Sequence, residues 1–157
     1  MAMAIKHELF TTTLLALIEE SFEKVAGIYL DRGTSLFETM AGLSADEASR
    51  PVTETGTTIA AHVEHLRFYL RVMENYMDGQ SADGLDWKQS WLRITVTPEE
   101  WDSLRRQLRD DHTRLMAHLK RFDDWNDERR IGGALGIVAH TAYHLGAIRQ
   151  MQRLVKR

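Results

Sequence analysis

One segment near the carboxyl end of the chain carries two histidines at helical spacing and reads Gly136-Ile137-Val138-Ala139-His140-Thr141-Ala142-Tyr143-His144-Leu145-Gly146-Ala147-Ile148-Arg149. Its two histidines are four residues apart, so in an α-helix they lie about 40° apart around the axis, one turn above each other. They share a face with Ile137, Ile148 and Met151, which we expect to point into the protein. Buried imidazoles need hydrogen bonds, water or a metal ion. Satisfied core histidines, a wet cavity and a shared metal ion are all compatible with this spacing.

Along the chain, four segments repeat apolar residues at steps of three and four, which is the period of an α-helix. The predicted helices run from about Lys6 to Gly42 with a kink or interruption at 31–33, from Thr57 or Thr58 to Asp78, from Thr97 to Phe122, and from Gly133 to Val155. No stretch shows sustained strand alternation. Four amphipathic helices without a sheet must bury their apolar faces on one another, so the sequence predicts an all-α fold, a four-helix bundle.

The ends of these helices carry local signals. Thr97-Pro98-Glu99-Glu100 offers a capping box with proline in the first turn, and Gly79 is a stop for the second helix. The connections are predicted at 45–57, 80–96 and 123–130. The long linker carries Trp87 and Trp91, which either wall a pocket or close the end of the bundle.

Length and charge restrict the class of protein. With 157 residues the chain suits one domain, 1–157. The 20 basic and 23 acidic residues give a net charge of -3, so nothing favours nucleic acid as a partner. Arg105, Arg106 and Arg109 alternate with aspartates and are predicted to form a solvated helix face.

The residues that are absent also exclude several functions. The chain has no cysteine, which excludes disulfides, a thiolate zinc site and a cysteine nucleophile. The segment 1–8 lacks the basic and apolar regions of a signal peptide, and no apolar run approaches the length of a membrane span. We therefore expect a cytoplasmic protein that does not enter a membrane.

A third metal ligand would come from the second helix, where His62 and His65 are both candidates. The helical period places His62 nearer the centre of the apolar face and His65 toward its edge, so periodicity alone slightly favours His62. The other histidines, His7, His112 and His118, have no supporting group of residues and are predicted at the surface.

Two blocks of sequence are similar to a known family. They are Thr58-Ile59-Ala60-Ala61-His62-Val63-Glu64-His65-Leu66 and the histidine-bearing stretch quoted above, with its His-x-x-x-His, aliphatic residue and glycine. On these blocks the chain resembles the DinB-like metal-binding helical bundles, a large bacterial family, over almost its whole length. The resemblance implies that His65, His140 and His144 are the metal ligands, with His62 as a neighbour.

The resemblance also implies a function. Three neutral histidines leave a divalent ion with its full charge and open coordination positions, which suits zinc first, with nickel, iron and manganese also compatible. Relatives use low-molecular-weight thiols such as bacillithiol, mycothiol or glutathione, so a metal-dependent thiol S-transferase or isomerase acting on a small electrophile is implied. Family members often form homodimers. The alternatives are a non-catalytic metal-binding or stress-response protein, and a bundle with structural histidines and a protein partner.

Other metal chemistry fits the sequence less well. The His140-to-His144 spacing is that of a zincin protease, but Thr141 stands where that mechanism needs a glutamate base. No Glu-x-x-His step supports a ferritin-like di-metal site. Tyr69, Tyr76 and Tyr143 lie on the ligand-bearing helices and are predicted to serve in packing.

Overall fold

A computed structural model describes residues 5–54 and 56–157 of the chain. Within those residues the fold is entirely helical and contains no strand, which confirms the predicted class. The helices are α1 (His7–Phe22), α2 (Leu36–Met40), α3 (Ala45–Ala48), α4 (Ile59–Met77), α5 (Pro98–Leu119) and α6 (Glu128–Val155), with a 3-10 helix (Trp87–Trp91) between α4 and α5. Residues 1–4 and 55 of the predicted domain lie outside the described part.

The four long helices close a ring around one core. Helix α4 packs against α5 and α6, and α1 packs against the same two helices from the opposite side. The core contains residues from all four, including Ile18, Leu70, Leu108 and Ile148, each fully buried. Burial of apolar faces therefore holds the bundle together, as the sequence pattern predicts.

Most helix ends follow their local signals. Thr97 caps α5, with reciprocal hydrogen bonds to Glu100 and Pro98 in the first turn. Thr58 caps α4, and Gly79 follows that helix with a φ of 86°, a conformation that favours glycine. The predicted start of α6 at Gly133 is wrong: the Asp127 side chain accepts the backbone N–H of Arg129 and begins the helix at Glu128.

The predicted first helix is wrong beyond Phe22. The carboxylate of Glu20 is fully buried and accepts four backbone N–H groups from the next segment. The donors are Ala26 at 3.0 Å, Ile28 at 2.8 Å, Tyr29 at 2.7 Å and Leu30 at 2.8 Å. These bonds give the segment an alternative to helical hydrogen bonding, so the chain turns away until Ser35 caps α2.

Two histidines predicted at the surface are buried, so that prediction is wrong for them. His112 is 4% exposed and its ring stacks on Phe22 at 4.8 Å. His118 is 6% exposed, contacts Phe122 edge-on and lies 3.2 Å from Asp78. Both lie on α5 at helical spacing from buried leucines, Leu108 and Leu115 for His112 and Leu115 for His118, so the sequence pattern already contained a signal for their burial. Their aromatic partners, Phe22 and Phe122, lie outside α5.

Helix α6 is the one described helix that is long and apolar enough to cross a membrane, judged by length and composition. The core helix of a bundle meets the same criteria. Here Ala134, Ile137, Leu145 and Ile148 of α6 are buried against the other helices. The expected absence of a membrane partner stays a prediction.

We expect the Glu20 contact to control stability. Burial alone would raise the pKa of Glu20, but the four backbone N–H groups lower it to about 2. Glu20→Ala leaves four donors without their acceptor and should lower the urea midpoint of unfolding strongly. Exposed Glu19 is the matched control, and its replacement by alanine should change the free energy of unfolding by no more than about 0.5 kcal/mol. Equal effects from the two variants would contradict this role.

His112 should make stability depend on pH. Burial lowers its pKa to about 4, although Glu23 opposes the shift, whereas an unfolded histidine titrates near 6.5. Between these two pKa values the unfolded state binds more protons than the folded state. The contribution of His112 to the free energy of unfolding is therefore fully present above pH about 6.5 and declines as the pH falls toward about 4. His112→Phe should remove up to about 3 kcal/mol of that decline. Unfolding free energies of both proteins across this range, with chelator present, isolate the residue; identical pH profiles would refute the prediction.

Candidate metal centre

Two facing helices supply the histidines of the candidate site. His62 and His65 lie in the first two turns of α4, and His140 and His144 lie in the middle of α6. These two helices form the most extensive helix contact of the bundle. The apolar residues of α4 pack against those of α6, and this packing brings the imidazoles together at the interface. His62, His65 and His144 are buried, and His140 is partly buried.

Three of the histidines form a set that could hold one metal ion. His65, His140 and His144 each offer a ring nitrogen, and these nitrogens all lie within 4.8 Å of one another. Nε2 of His65 lies 3.1 Å from Nε2 of His140. Two nitrogens bound to zinc at about 2.0–2.1 Å with tetrahedral angles would be about 3.3 Å apart. The observed separation therefore fits two ligands of one ion.

His62 stands beside this set. Its Nδ1 lies 2.8 Å from Nδ1 of His144, and one of the two atoms donates to the other. The periodicity that slightly favoured His62 reflects burial, and the two histidines of α4 turn out almost equally buried, at 7% and 6% exposed. The geometry gathers His65 with the α6 pair, which is the set that the family resemblance implies. His62 is positioned to hold the His144 ring.

Aromatic side chains enclose the histidines. Trp91 stacks on His65, with centroids 4.1 Å apart and planes 20° apart. Tyr69 stacks on His140 at 3.7 Å and 15°. Trp87 packs edge-on against Phe68, with its centroid 6.4 Å from that of His65. Of the two roles predicted for the linker tryptophans, the structure supports a wall beside the site.

Glycine on α6 makes room for one of these rings. A Cβ at Gly136 would lie 2.9 Å from the Tyr69 hydroxyl, closer than real side chains approach. The absence of that Cβ lets Tyr69 lie flat on His140, one turn further along the helix. The packing role predicted for Tyr69 is confirmed. Tyr143 departs from its prediction, because its side chain is 72% exposed beside His144.

The site is uncharged before a metal binds. Burial lowers the pKa of His62 and of His140 to about 4 and that of His144 to about 3, and repulsion between the rings adds to this effect. Burial also lowers the pKa of His65. At neutral pH all four rings are therefore neutral, and each has one ring nitrogen that carries a lone pair. Among the described residues, the set includes no carboxylate that could neutralise a bound cation.

Sequence reasoning missed one polar residue of the site, Ser90. It lies in the 3-10 helix, is 3% exposed, and its hydroxyl lies 2.8 Å from Nδ1 of His65. The available signal was Asp86, whose side chain caps the 3-10 helix by accepting the N–H of Lys88. A capped turn with Trp87 and Trp91 on either side of Ser90 suggests a folded segment within the linker.

The arginine cluster of α5 does not form part of the histidine site. Arg105, Arg106 and Arg109 line a surface cleft of about 330 Å³ with Phe37 and Met40. Asp102 pairs with Arg105, and Glu23 accepts Arg109 at 2.6 Å. The charge pairing of Arg105 and Arg109 agrees with the solvated helix face that the sequence predicts.

Comparison with known proteins gives one match. A family model described as the DinB superfamily matches residues 29–148, which is more than half of the chain. The matched range begins after α1 and includes all three clustered histidines. No curated protein and no solved structure matches the chain.

The two histidines of α4 should differ in their contribution to metal binding. Loss of a ligand nitrogen removes a metal bond, whereas loss of a residue that only orients a ligand typically costs 10- to 100-fold in affinity. His65→Ala should therefore weaken zinc binding by more than about 100-fold, and His62→Ala by less than that. Competition titration with a chromophoric chelator measures both. A larger loss from His62→Ala would transfer the ligand role to that residue.

Proposed function

This chain belongs to the DinB superfamily, and from that membership and the buried histidine cluster we propose that it binds a divalent metal ion and acts as a metal-dependent thiol S-transferase. One observation carries the proposal. The three clustered nitrogens of His65, His140 and His144 come from neutral side chains, without a carboxylate or thiolate in the set. An ion held by them keeps its full charge for a ligand from solution.

Zinc is the ion that we propose first. Three protein ligands that leave a fourth position free are typical of catalytic zinc sites, and imidazole also suits nickel and iron. Manganese fits less well because it prefers oxygen ligands. When bound, such an ion supplies Lewis acidity that lowers the pKa of a thiol or water that it binds.

The protein groups have separate tasks in this proposal. The three histidines hold the ion, and His62 holds the His144 ring through their 2.8 Å hydrogen bond. Trp91 and Tyr69 fix the planes of His65 and His140 by stacking on them. These rings also exclude water from the histidines, which keeps the lone pairs available because buried imidazoles resist protonation.

The proposed reaction is a substitution in which the sulfur of a thiol replaces a leaving group on carbon. The cosubstrate is a low-molecular-weight thiol, and its proton passes to solvent when it becomes a thiolate. The sulfur then forms a bond to an electrophilic carbon of the second substrate, and the leaving group departs with the electron pair of the broken bond. No oxidant or reductant is required.

A second candidate function is that of a non-catalytic metal-binding or stress-response protein. The stacking of Trp91 and Tyr69 on two of the three histidines favours it, because rings so close to the ligands limit the space for a substrate. His144 is only 2% exposed, which points in the same direction. The two candidates differ in whether the fourth coordination position is open to a thiol.

The proposal also includes the oligomeric state and the cellular location of the protein. Leu135, Tyr143 and Leu154 of α6 are each more than half exposed and lie within about 100° of one another around the helix. An exposed apolar helix face of this kind supports a homodimer. We propose a cytoplasmic protein, in line with the absence of cysteine.

The test measures metal and thiol transfer together. We expect about one zinc or other divalent ion per chain by elemental analysis. Metal-loaded protein should accelerate the reaction of bacillithiol, mycothiol or glutathione with an aryl halide. The rate is measured as the release of halide. Chelation should abolish the rate and zinc should restore it, and His144→Ala should remove both metal and activity. Metal binding without transfer by any of the thiols would leave the non-catalytic candidate, and absence of stable metal binding would refute both.

A further inference from the structure

The hydroxyl of Ser90 makes two hydrogen bonds whose directions can be assigned. It donates to the backbone carbonyl of Trp87 at 2.7 Å and lies 2.8 Å from Nδ1 of His65. A serine hydroxyl has one proton and two lone pairs. Since a carbonyl can only accept, the proton of Ser90 is committed to Trp87. Toward His65 the same oxygen can therefore only accept, and Nδ1 of His65 must carry the hydrogen.

This assignment fixes the other nitrogen of the ring. A neutral imidazole with hydrogen on Nδ1 has its lone pair on Nε2. Nε2 of His65 is the atom that lies 3.1 Å from Nε2 of His140, inside the histidine cluster. The lone pair therefore faces the position where a shared ion would lie. The opposite tautomer would place an N–H bond there instead.

We propose that Ser90 is a positioning residue of the metal site, which holds His65 in the tautomer and ring orientation that present Nε2 to the metal. The inference rests on the proposed metal site and concerns a residue outside the ligand set. It gives the linker between α4 and α5 a function beyond connecting them.

The surroundings of the Ser90 hydroxyl hold it in place beside the His65 ring. Ser90 is 3% exposed, so water has little access to replace it. Its 3-10 helix is tied to the bundle, since Trp91 stacks on His65 and the Thr58 hydroxyl donates to the Ile94 carbonyl at 2.7 Å. A ring held by stacking on its face and by a hydrogen bond at its edge has little freedom to rotate.

Removal of the hydroxyl should therefore affect metal binding through His65. In Ser90→Ala the ring loses its Nδ1 acceptor, so the tautomer with hydrogen on Nε2 becomes populated. That hydrogen must leave Nε2 before a metal can bind. Loss of such a supporting group typically reduces metal affinity by about 10- to 100-fold.

The experiment compares Ser90→Ala with two other variants. Ser81→Ala removes the same atoms from an exposed serine of the same linker and serves as the matched control. Ser90→Thr keeps a hydroxyl at the site and should restore affinity. Zinc affinity is measured by chelator competition, and the tautomer of His65 in metal-free protein is read from nitrogen-15 shifts of the ring.

We expect Ser90→Ala to bind zinc about 10- to 100-fold more weakly, with hydrogen appearing on Nε2 of His65, while Ser81→Ala binds like wild type. Unchanged affinity or an unchanged tautomer in Ser90→Ala would overturn the inference. A lower melting temperature of metal-free Ser90→Ala with unchanged zinc affinity would show a merely structural role, and also overturns it. His65→Ala separates the two proposals: if it binds zinc like wild type, the metal site itself is wrong.

Discussion

The buried interface between α4 and α6 sets a requirement that the surrounding helices and linkers must meet. It buries imidazoles where a bundle would ordinarily bury aliphatic side chains, and buried polar groups must find partners. Nε2 of His65 faces Nε2 of His140, and Nδ1 of His62 faces Nδ1 of His144. Two nitrogens facing each other can share a single hydrogen or bind a common ion, but they cannot both carry a hydrogen. The arrangement therefore prevents both rings of a pair from being protonated at the same time.

Apolar contacts around the histidines offset the free-energy cost of burying the imidazoles. Ile59, Leu66 and Leu145 are buried along the same two helices. Their burial supplies cohesion that does not depend on the polar residues, since each large apolar side chain contributes roughly 1.5–3 kcal/mol. The bundle can hence hold its histidines close together without a bound ion.

Segments outside the four long helices complete the fold by polar contacts. The buried Glu20 carboxylate receives the backbone N–H groups of an irregular segment and so ends α1 without a glycine stop. Ser90 and the linker tryptophans play the corresponding part beside the histidines. In both places buried polar or aromatic side chains fix a segment that lies outside the four long helices. Such segments carry little periodicity, although they decide what surrounds the candidate site.

The amino-acid sequence is sufficient to predict the all-helical class, the capping of α4 and α5, and the position of His140 and His144 on one face of α6. These features follow from periods and caps, which act within a few residues. Four features emerge only in the folded protein: the course of 23–34, the stacking of His112 on Phe22, the contact between His65 and Ser90, and the hydrogen bond between His62 and His144. Each of these depends on which distant side chain occupies the neighbouring space. Periodicity gives the face of a helix on which a residue lies, and packing alone supplies its partner.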